Sequence, residues 1–471
     1  MAAGPQPSHV RRHRTPPRSL AAFFRLVTTS LLFLCGGALV AVSFEGALRL
    51  VFGVAGFAGY VLFFARALRE LVLPRVLIEG GPRPGGEVQK GSFPRKTGEA
   101  DGNHVLAAAV LAAVFTLVES PSLAQEPAPE TTTAPSPAGP GVQLHGFVDV
   151  YAAWNPNQPS DRDSFQPGTG TTAQKANEFG LNLSALDLSL DANPVGFHVV
   201  GVAGTGTDVV HASELHPNNV RYVYQASVSY RLRVGRGVLF ELGIQPSHIG
   251  YEGFFSKDNW NYTRGWMGEF SPYYQTGLKV ATSFDDHWSG QLWLLNGWQS
   301  VEDNNGGKSF GTQVAYAKDA LGVTVNTFFG PELNDDSSHW RSFVDFVGTL
   351  KISSNVLLAT SLDLGEQRRP ALPPARWEGV SLWVRTLLSS SSSSFLSLRA
   401  EVFHDPDAAV SPLPQTLFGT TLTFETRPHP QLVLKLEGRY DRSTADGFGG
   451  PYGPLTKRDQ LLFVLGAVAT F

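Results

Sequence analysis

Cysteine, methionine and charged residues are all scarce in this chain of 471 residues. Its single cysteine, Cys35, excludes an intrachain disulfide framework and any zinc site built from several cysteines. Charged residues make up only 17% of the chain and the formal net charge is −4, so the broad basic surface of a nucleic-acid-binding protein is not expected. The hydropathy averages near zero, which is too polar for a helical membrane protein. A transmembrane barrel is compatible with that average, because its apolar residues alternate with polar ones.

Glycine and aromatic residues are what the chain has in quantity. There are 49 glycines and 12 tyrosines, and aromatic residues account for 11% of the total. Aromatic and β-branched residues favour strands and glycine favours turns. The composition therefore predicts strands and turns rather than a helical bundle.

The first 141 residues differ from the rest. A basic start leads into two apolar runs, at 26–44 and 50–65, each near the ~20 residues that a membrane helix needs. Residues 105–118 form a shorter uncharged run, preceded by Arg95 and Lys96 and followed by Ser-Leu-Ala at 122–124. That order is typical of a secretory signal peptide, and the alternative is a buried helix of similar length.

A signal peptide about 90 residues into a protein suggests that translation starts further downstream. We expect the true start near Val88, with residues 1–103 an extension whose first ~90 residues do not belong to the protein. The expected order is then a signal-peptide-like segment at 104–124, a Pro/Thr-rich linker at 125–141 and a barrel at 142–471.

From residue 142 onward, apolar and polar residues alternate in segments separated by turn residues. The connections between segments alternate in length, with 155–178 long, 192–195 short and the same order continuing to the long 442–458. An up-and-down barrel has this pattern, because its turns are short on one side and its loops long on the other. The predicted fold is an all-β transmembrane antiparallel barrel of about 16 strands (range 12–18) around an aqueous lumen. The strands are predicted at 142–154, 179–191, 196–205, 221–234, 237–245, 272–284, 287–298, 308–317, 321–330, 341–352, 355–365, 377–388, 394–404, 415–426, 431–441 and 460–471.

Several strands have one apolar and one charged face, and residues 431–441 show this most clearly. Lipid accepts only the apolar face, because an Arg or Lys at mid-membrane costs about 2–4 kcal/mol. The charged face is therefore expected to line the lumen, and in 221–234 the opposite, lipid-facing set includes Tyr222, Tyr224 and Tyr230. The alternative is that the charges only form salt bridges with one another. The pore-lining candidates are Arg221, Arg231, Arg233, Arg385, Arg399, Glu401, Lys435, Glu437, Arg439 and Asp441, with Asp345 and Lys351 as further inward candidates.

The longest connection between two strands, residues 246–271, is the third long loop and is rich in aromatic residues. Loops of this length are usually functional or disordered, and the aromatic residues favour packing. By analogy with trimeric porins, whose third loop folds into the barrel, it is a candidate constriction; the alternative is an extracellular cap or plug. The constriction-loop candidates are Glu252, Lys257, Asp258, Arg264 and Glu269.

Two stretches in the middle of the chain also carry a family resemblance. Tyr251-Glu252, the run 257–264 (KDNWNYTR) and the run 271–277 (SPYYQTG) resemble the OmpL-like β-barrel porins, as do Asn296-Gly297-Trp298 and the residues at 303–310. The similarity covers most of 142–471 and is most specific in the middle third. It implies an outer-membrane pore without known catalytic residues or cofactors.

Metal-binding and catalytic patterns are weak in this sequence. His211 and His216 flank Glu214, and Asp303-Asn304-Asn305-Gly306 resembles part of a calcium loop but lacks the spaced ligands. Solvated loop surface is the simpler reading of both stretches, and no metal or cofactor is predicted.

The predicted function is passive diffusion of small hydrophilic solutes or ions through a porin of the bacterial outer membrane. The alternatives are an outer-membrane enzyme of the protease or phospholipase type and a structural or adhesive barrel. Expected partners are outer-membrane lipid and lipopolysaccharide, the barrel-assembly machinery and the solutes, with the chain as a monomer or homotrimer and without nucleic acid.

The last strand predicts how the barrel closes. Alternate residues from Leu461 onward are apolar, and the strand ends on Phe471, an aromatic terminus as in bacterial outer-membrane barrels. An even number of strands places both chain ends in the periplasm. Phe471 is therefore the predicted barrel-closing terminus, which assembly factors would read.

Overall fold

The computed structural model describes residues 141–391 and 393–471. The predictions for the first 140 residues, namely the extension, the signal peptide, nearly all of the linker and the start near Val88, lie outside the described residues. Sixteen of the strands in the described part form one closed barrel, which confirms the predicted fold and strand number. These strands are β1 (Gln143–Trp154), β2 (Glu178–Leu190), β3 (Val195–Ala203), β4 (Val223–Leu232), β5 (Val238–Pro246), β6 (Tyr274–Ser283), β7 (Trp288–Leu295), β8 (Ser309–Lys318), β9 (Leu321–Leu333), β10 (Asp336–Lys351), β11 (Val356–Arg369), β12 (Leu372–Ser389), β13 (Ser394–Asp405), β14 (Gln415–His429), β15 (Leu432–Ser443) and β18 (Asp459–Thr470).

Short elements occupy the long loops. The last loop, L8 (444–458), contains a separate two-stranded sheet of β16 (Phe448–Gly450) and β17 (Gly453–Lys457). Short helices in other loops are α1 (Thr205–Val210), α2 (Pro217–Val220) and α3 (Trp266–Glu269), with a 3-10 turn at Ser256–Asp258. None of the helices in the described part is long and apolar enough to cross a membrane.

The barrel closes between its first and last strands. Every barrel strand pairs with its neighbours in antiparallel fashion, and β18 lies between β15 and β1. The Phe471 N–H donates to the Gly146 carbonyl at 3.0 Å and the Gly146 N–H returns a bond of 3.2 Å. The Phe471 ring lies directly over Gly146, where a Cβ atom would collide with it. Glycine at this position lets the terminal aromatic residue pack on the first strand.

Two of the predicted long loops are instead continuous hairpins. Residues 331–340 and 366–376 were expected to be loops, but β9 ends at Leu333, β10 begins at Asp336, and β11 and β12 are joined through only two residues. The ladder continues beyond the predicted strand ends, with Trp340 opposite Pro331 and Gln367 opposite Ala375, and each hairpin has one register shift nearer its turn. Apolar alternation stops there because outward positions are charged, as at Glu366 and Arg376, although the backbone pairing goes on.

The two faces of β18 show what the inside of this barrel is like. Leu461, Phe463 and Leu465 point outward and are exposed on the face that meets lipid. Leu462 and Val464 point inward and are nevertheless fully buried. The inner face of β18 is thus covered by other parts of the chain rather than by water.

Candidate functional site

The third long loop, L3 (residues 247–273), leaves β5, crosses the barrel interior and returns to β6. In the ring of sixteen strands β13 is the eighth neighbour of β5 and β14 the eighth neighbour of β6, so both lie on the opposite side. L3 reaches that side: the Asn261 side chain donates to Thr423 of β14 at 2.7 Å, and the Trp266 N–H donates to Glu401 of β13 at 2.7 Å. L3 therefore lies inside the barrel and spans the lumen.

Glutamates of the far wall bind the backbone of L3. Glu437 of β15 accepts from the N–H groups of Tyr262 at 2.6 Å and Thr263 at 3.1 Å, and from Thr263 Oγ1 at 2.5 Å. Glu401 accepts from Trp266 as described above. Hydrogen bonds to ionised acceptors are roughly twice as strong as neutral ones. Two predicted pore-lining acids are therefore engaged in holding L3.

Arginines of the same wall bind L3 and the neighbouring carboxylates. Arg399 Nη1 of β13 donates to the Thr263 carbonyl at 2.6 Å and pairs with Glu252 of L3 at 2.8 Å. Arg439 Nε pairs with Asp441 on the same strand at 2.8 Å. The salt bridges considered as an alternative from the sequence are thus present, and they are shared with L3.

Lys435 and Arg385 flank this network. The Lys435 ammonium donates to the carbonyls of Ser256 at 2.7 Å and Asn259 at 2.5 Å, both in L3. Glu425 of β14 lies between the two cations, 3.5 Å from Lys435 Nζ and 3.0 Å from Arg385 Nη2. L3 thus contacts β13 and β15 through charged side chains and contacts β14, which lies between them, through Thr423.

The charged side chains of the wall from β12 to β15 are covered by L3. Each of the charged residues from β12 to β15 that the sequence predicted to line the pore is at most 9% exposed. Their side chains do point into the barrel, but L3 separates them from open water. They are Arg385, Arg399, Glu401, Lys435, Glu437, Arg439 and Asp441.

The three remaining arginine candidates lie near the strand ends. Arg221 lies in the second long loop, L2 (204–222), where it caps α2 and pairs with Asp208. Arg231 is exposed near the turn end of β4. Arg233 lies in the following turn and donates to Asn193 Oδ1 at 2.6 Å. Arg231 and Arg233 therefore lie at the turn end of the barrel, and Arg221 lies in L2 rather than on a barrel strand.

Of the charged residues within L3, three are buried. Glu252 accepts from the Gly265 N–H at 2.6 Å, which closes the loop on itself. The Arg264 guanidinium stacks over the Tyr273 ring at 4.3 Å, and its buried Nε and Nη1 have no hydrogen-bond partner among the described residues. Glu269 binds the first long loop, L1 (155–177), accepting from the Gly170 N–H at 2.8 Å.

The other two charged residues of L3 form a neighbouring pair. Lys257 Nζ lies 2.7 Å from Asp258 Oδ1, and the Asp258 side chain is 56% exposed. The Lys257 ammonium also lies 5.6 Å from the Phe147 ring centroid. This pair marks the water-facing surface of L3.

Sequence reasoning missed Asp149 of β1 as a partner of L3. Its carboxylate accepts from Tyr262 OH at 2.7 Å and from Ser256 Oγ at 2.6 Å, and it is fully buried. The sequence did contain a signal for this inward contact: Asp149 is a charged residue between Phe147 and Tyr151 on the same face of β1.

Two inward aspartates hold the ends of L3. Asp345 of β10 accepts from the Gly250 N–H at 2.8 Å, and Asp363 of β11 accepts from Ser271 Oγ at 3.4 Å. The two aspartates are directly opposite each other in the ladder and both are buried. The sequence indicated Asp345 as inward but gave no sign that it would bind L3.

Aromatic side chains fill much of the space between L3 and the wall. Trp266 and Phe270 of L3 stack on each other at 6.0 Å, and Phe270 stacks on the inward Phe403 at 4.8 Å. Tyr224 was predicted to face lipid, and that prediction is wrong: it packs on Phe254 of L3 at 5.0 Å. A register shift between β3 and β4 turns Tyr224 inward. The polar tube expected along the whole lumen is thus interrupted at the level of L3.

The residues considered for metal binding are separated in the fold. His211 stacks on Tyr274 at 5.0 Å, whereas His216 pairs with Glu302 at 2.8 Å. Burial lowers the pKa of His211 and so favours its neutral form. The Asp303 carboxylate pairs with the Lys308 ammonium rather than with other candidate metal ligands. Across residues 141–391 and 393–471, no three His, Cys, Asp or Glu side chains are grouped to share a metal ion.

The comparison with family models identifies a porin family. The family model described as "Putative beta-barrel porin-2, OmpL-like" matches residues 141–471, and no curated protein matches the chain. An anion-selective porin from Comamonas acidovorans is 12% identical with a TM-score of 0.48, and the match covers 70% of this chain and 99% of that one. Salmonella typhi OmpF in complex with daunomycin is 13% identical with a TM-score of 0.48, and the match covers 71% of this chain and 98% of that one. Pseudomonas putida OprB at high pH is 10% identical with a TM-score of 0.48, and the match covers 70% of this chain and 94% of that one.

The family model covers well over half of the chain and the whole of the barrel. It confirms the predictions of an outer-membrane location and of a channel rather than an enzyme. The chain belongs to the OmpL-like β-barrel porins and is a bacterial outer-membrane porin that lets solutes diffuse through its barrel.

Proposed function

We propose that this porin passes small hydrophilic solutes and ions passively through a lumen that L3 narrows. The observation that carries the proposal is the path of L3, which crosses from β5 and β6 to β13 and β14 and is bound there by buried charges. A sixteen-stranded wall alone would enclose a wide aqueous channel. With L3 fixed across it, the remaining free cross-section determines which solutes pass.

Glu437 is the anchor best suited to test this proposal. Its carboxylate accepts three hydrogen bonds from two adjacent L3 residues, so its charge fixes the middle of the loop. Glu437→Gln keeps the size of the side chain but removes that charge. Because the loop would be held less tightly, we expect a larger single-channel conductance in planar lipid bilayers than for the wild type.

Glu302→Gln is the matched control, since Glu302 is an exposed acid whose partner is His216. We expect its conductance to equal that of the wild type. A wild-type barrel without stable conductance steps would overturn the proposed passage of solutes. Steps of equal size in the wild type and in Glu437→Gln would show that L3 does not form the narrow section.

We further propose that the barrel works in outer-membrane lipid and lipopolysaccharide, as a monomer or homotrimer, after insertion by the barrel-assembly machinery. Its outward face supports this, because large apolar side chains such as Leu242, Leu292 and Leu436 are more than half exposed there. Light scattering of the protein purified in detergent would give the number of chains in each particle.

A further inference from the structure

The inner wall from β5 to β8 carries polar side chains, of which Lys279, Gln291 and Gln313 are partly exposed and Glu241 is buried. Glu241 of β5 lies directly opposite Lys279 of β6, and Gln291 of β7 lies directly opposite Gln313 of β8. The Lys279 ammonium pairs with the Glu241 carboxylate at 2.5 Å, and these side chains are 18% and 10% exposed. Gln291 and Gln313 are half-buried. This wall therefore presents both charge and amide groups to the lumen.

Two arginines of the opposite wall are more deeply buried than Lys279. The side chains of Arg399 and Arg439 there are 0% exposed and are bound by L3 or by neighbouring carboxylates. A solute or ion can exchange its hydrating water for a wall group only where that group is accessible from the lumen. The Glu241–Lys279 pair is accordingly better placed than the buried network to meet a solute.

The pair also borders L3 where the loop leaves the wall. Lys279 Nζ lies 5.2 Å from the Trp293 ring centroid, and Trp293 stacks on His248 of L3 at 5.1 Å. Gln313 donates to the His248 carbonyl at 3.1 Å. The Glu241–Lys279 pair thus lies beside the beginning of L3, next to the narrowed section of the lumen.

We propose that solutes pass along the wall formed by β5 to β8 and that the Glu241–Lys279 pair sets the ion selectivity of the channel. The proposal rests on the proposed function, since it specifies where the solute travels. Removing either partner leaves the other charge uncompensated beside the path. Gln291 and Gln313 each offer a donor and an acceptor, which suits small polar solutes as well as ions.

Reversal potentials in a salt gradient test the role of the pair. Lys279→Gln leaves Glu241 without its cationic partner and is expected to raise the cation-to-anion permeability ratio about fivefold. A factor of about five corresponds to the interaction energy of two unit charges about 4 Å apart in water. Glu241→Gln is expected to lower the ratio by a similar factor. Arg376→Gln is the matched control, because Arg376 forms an ion pair of the same kind with Glu366 at 2.8 Å on the outward face.

Arg231 gives a second comparison. It is exposed near the turn end of β4, two residues beyond Ser229, which lies directly opposite Glu241. Lys279→Glu and Arg231→Glu change the charge equally, so we expect the larger shift from Lys279→Glu. An equal or larger shift from Arg231→Glu would overturn the assignment of Lys279 to the narrow section.

Cysteine accessibility tests the route independently of selectivity. The native cysteine is removed by Cys35→Ser, and Gln291→Cys, Gln313→Cys and Thr421→Cys are each introduced into that full-length background. A charged methanethiosulfonate reagent is expected to lower the conductance of the Gln291→Cys and Gln313→Cys channels. Thr421 is fully buried beneath L3 and its cysteine is expected not to react.

The outcomes separate the two proposals. A wild-type chain that forms no channel would overturn the proposed function. A conducting wild type whose reversal potential is unchanged by Lys279→Gln and Glu241→Gln would overturn only the selectivity assignment. Reaction at Thr421→Cys but not at Gln291→Cys would overturn the route.

Discussion

At the scale of single residues, the inner wall is fitted to L3 by size as well as by charge. Gly466 of β18 points inward, and the Tyr262 ring of L3 lies flat against it. A Cβ atom at this position would collide with that ring. Tyr262 in turn donates from its hydroxyl to Asp149 at 2.7 Å, so the ring cannot move without breaking a buried hydrogen bond.

We therefore expect Gly466→Ala to loosen the middle of L3. Overpacking of a filled interior costs about 1–3 kcal/mol, which should raise hydrogen exchange at the Tyr262 and Thr263 amides. Gly438→Ala is the control, because a Cβ there meets the Phe463 ring at an ordinary 3.7 Å. Equal exchange in the two variants would contradict close packing of Tyr262 on Gly466.

Asp303 in the fourth long loop, L4 (296–308), makes that loop sensitive to acid. Burial alone would raise the pKa of Asp303, but bonds from Lys308 and from the N–H groups of Asn305 and Gly306 outweigh burial and hold the pKa below its usual value. The ionised form is therefore favoured in the folded loop. Its contribution to stability is complete above the ordinary aspartate pKa of about 4 and is lost as the pH falls through the lower, folded value.

Hydrogen exchange at Asn305 and Gly306 is the measurement for this residue. After correction for the intrinsic rate, we expect constant protection from neutral pH down to about pH 5 and falling protection below about pH 4. Asp303→Asn should remove this dependence on pH. Protection that stays constant in the wild type throughout acid titration would refute the assignment.

At the scale of elements, the loops hold one another in place. Glu269 at the end of α3 accepts from the N–H groups of Gly170 at 2.8 Å and Thr171 at 3.3 Å, and from Thr171 Oγ1 at 2.8 Å. The Phe165 ring of L1 meets the Trp266 ring edge-on at 6.1 Å. L1 thus packs on the part of L3 that touches the far wall.

Glu269→Gln should release L1 without unfolding the barrel. A hydrogen bond to a charged group contributes about 1.5–3 kcal/mol, so exchange at Gly170 and Thr171 should rise by roughly 10- to 100-fold. Asp258→Asn is the control, since Asp258 is an exposed L3 acid paired with Lys257. Unchanged exchange in Glu269→Gln would mean that packing alone orders L1.

At the scale of the whole molecule, the barrel closes where β18 and Phe471 pair with β1. Phe471 exchanges two backbone hydrogen bonds with Gly146 and covers that glycine with its ring. The pairing of β18 with β1 leaves the barrel without an open edge, which the membrane interior requires.

Deleting Phe471 is expected to impair assembly of the barrel while secretion across the inner membrane continues. The amount of heat-modifiable, folded protein in the outer membrane should fall, with unfolded chain accumulating in the periplasm. Phe471→Tyr keeps an aromatic terminus and should assemble normally. Normal assembly of the shortened chain would show that this residue is dispensable.

The wall of this barrel could be predicted from the sequence because its information is local. Alternation of apolar and polar residues has a period of two, so each strand and its lipid-facing side can be recognised within about ten residues. The sixteen strands and the closing position of Phe471 followed from that pattern. The hairpin ends of β9 to β12 could not be predicted in this way, because outward positions such as Glu366 and Arg376 are charged and the apolar alternation is lost.

What only the tertiary structure decided is how the inward charges are used. Local pattern indicated that Glu401, Glu437 and Arg439 point inward, but it could not indicate that they meet L3. Trp266 and Glu401 are 135 residues apart, and Tyr262 and Glu437 are 175 apart. Such contacts arise only when the closed barrel brings opposite strands within reach of one loop. The sequence by itself therefore determined the strands of the wall and their lipid-facing side, and the folded molecule decided which inward charges L3 covers.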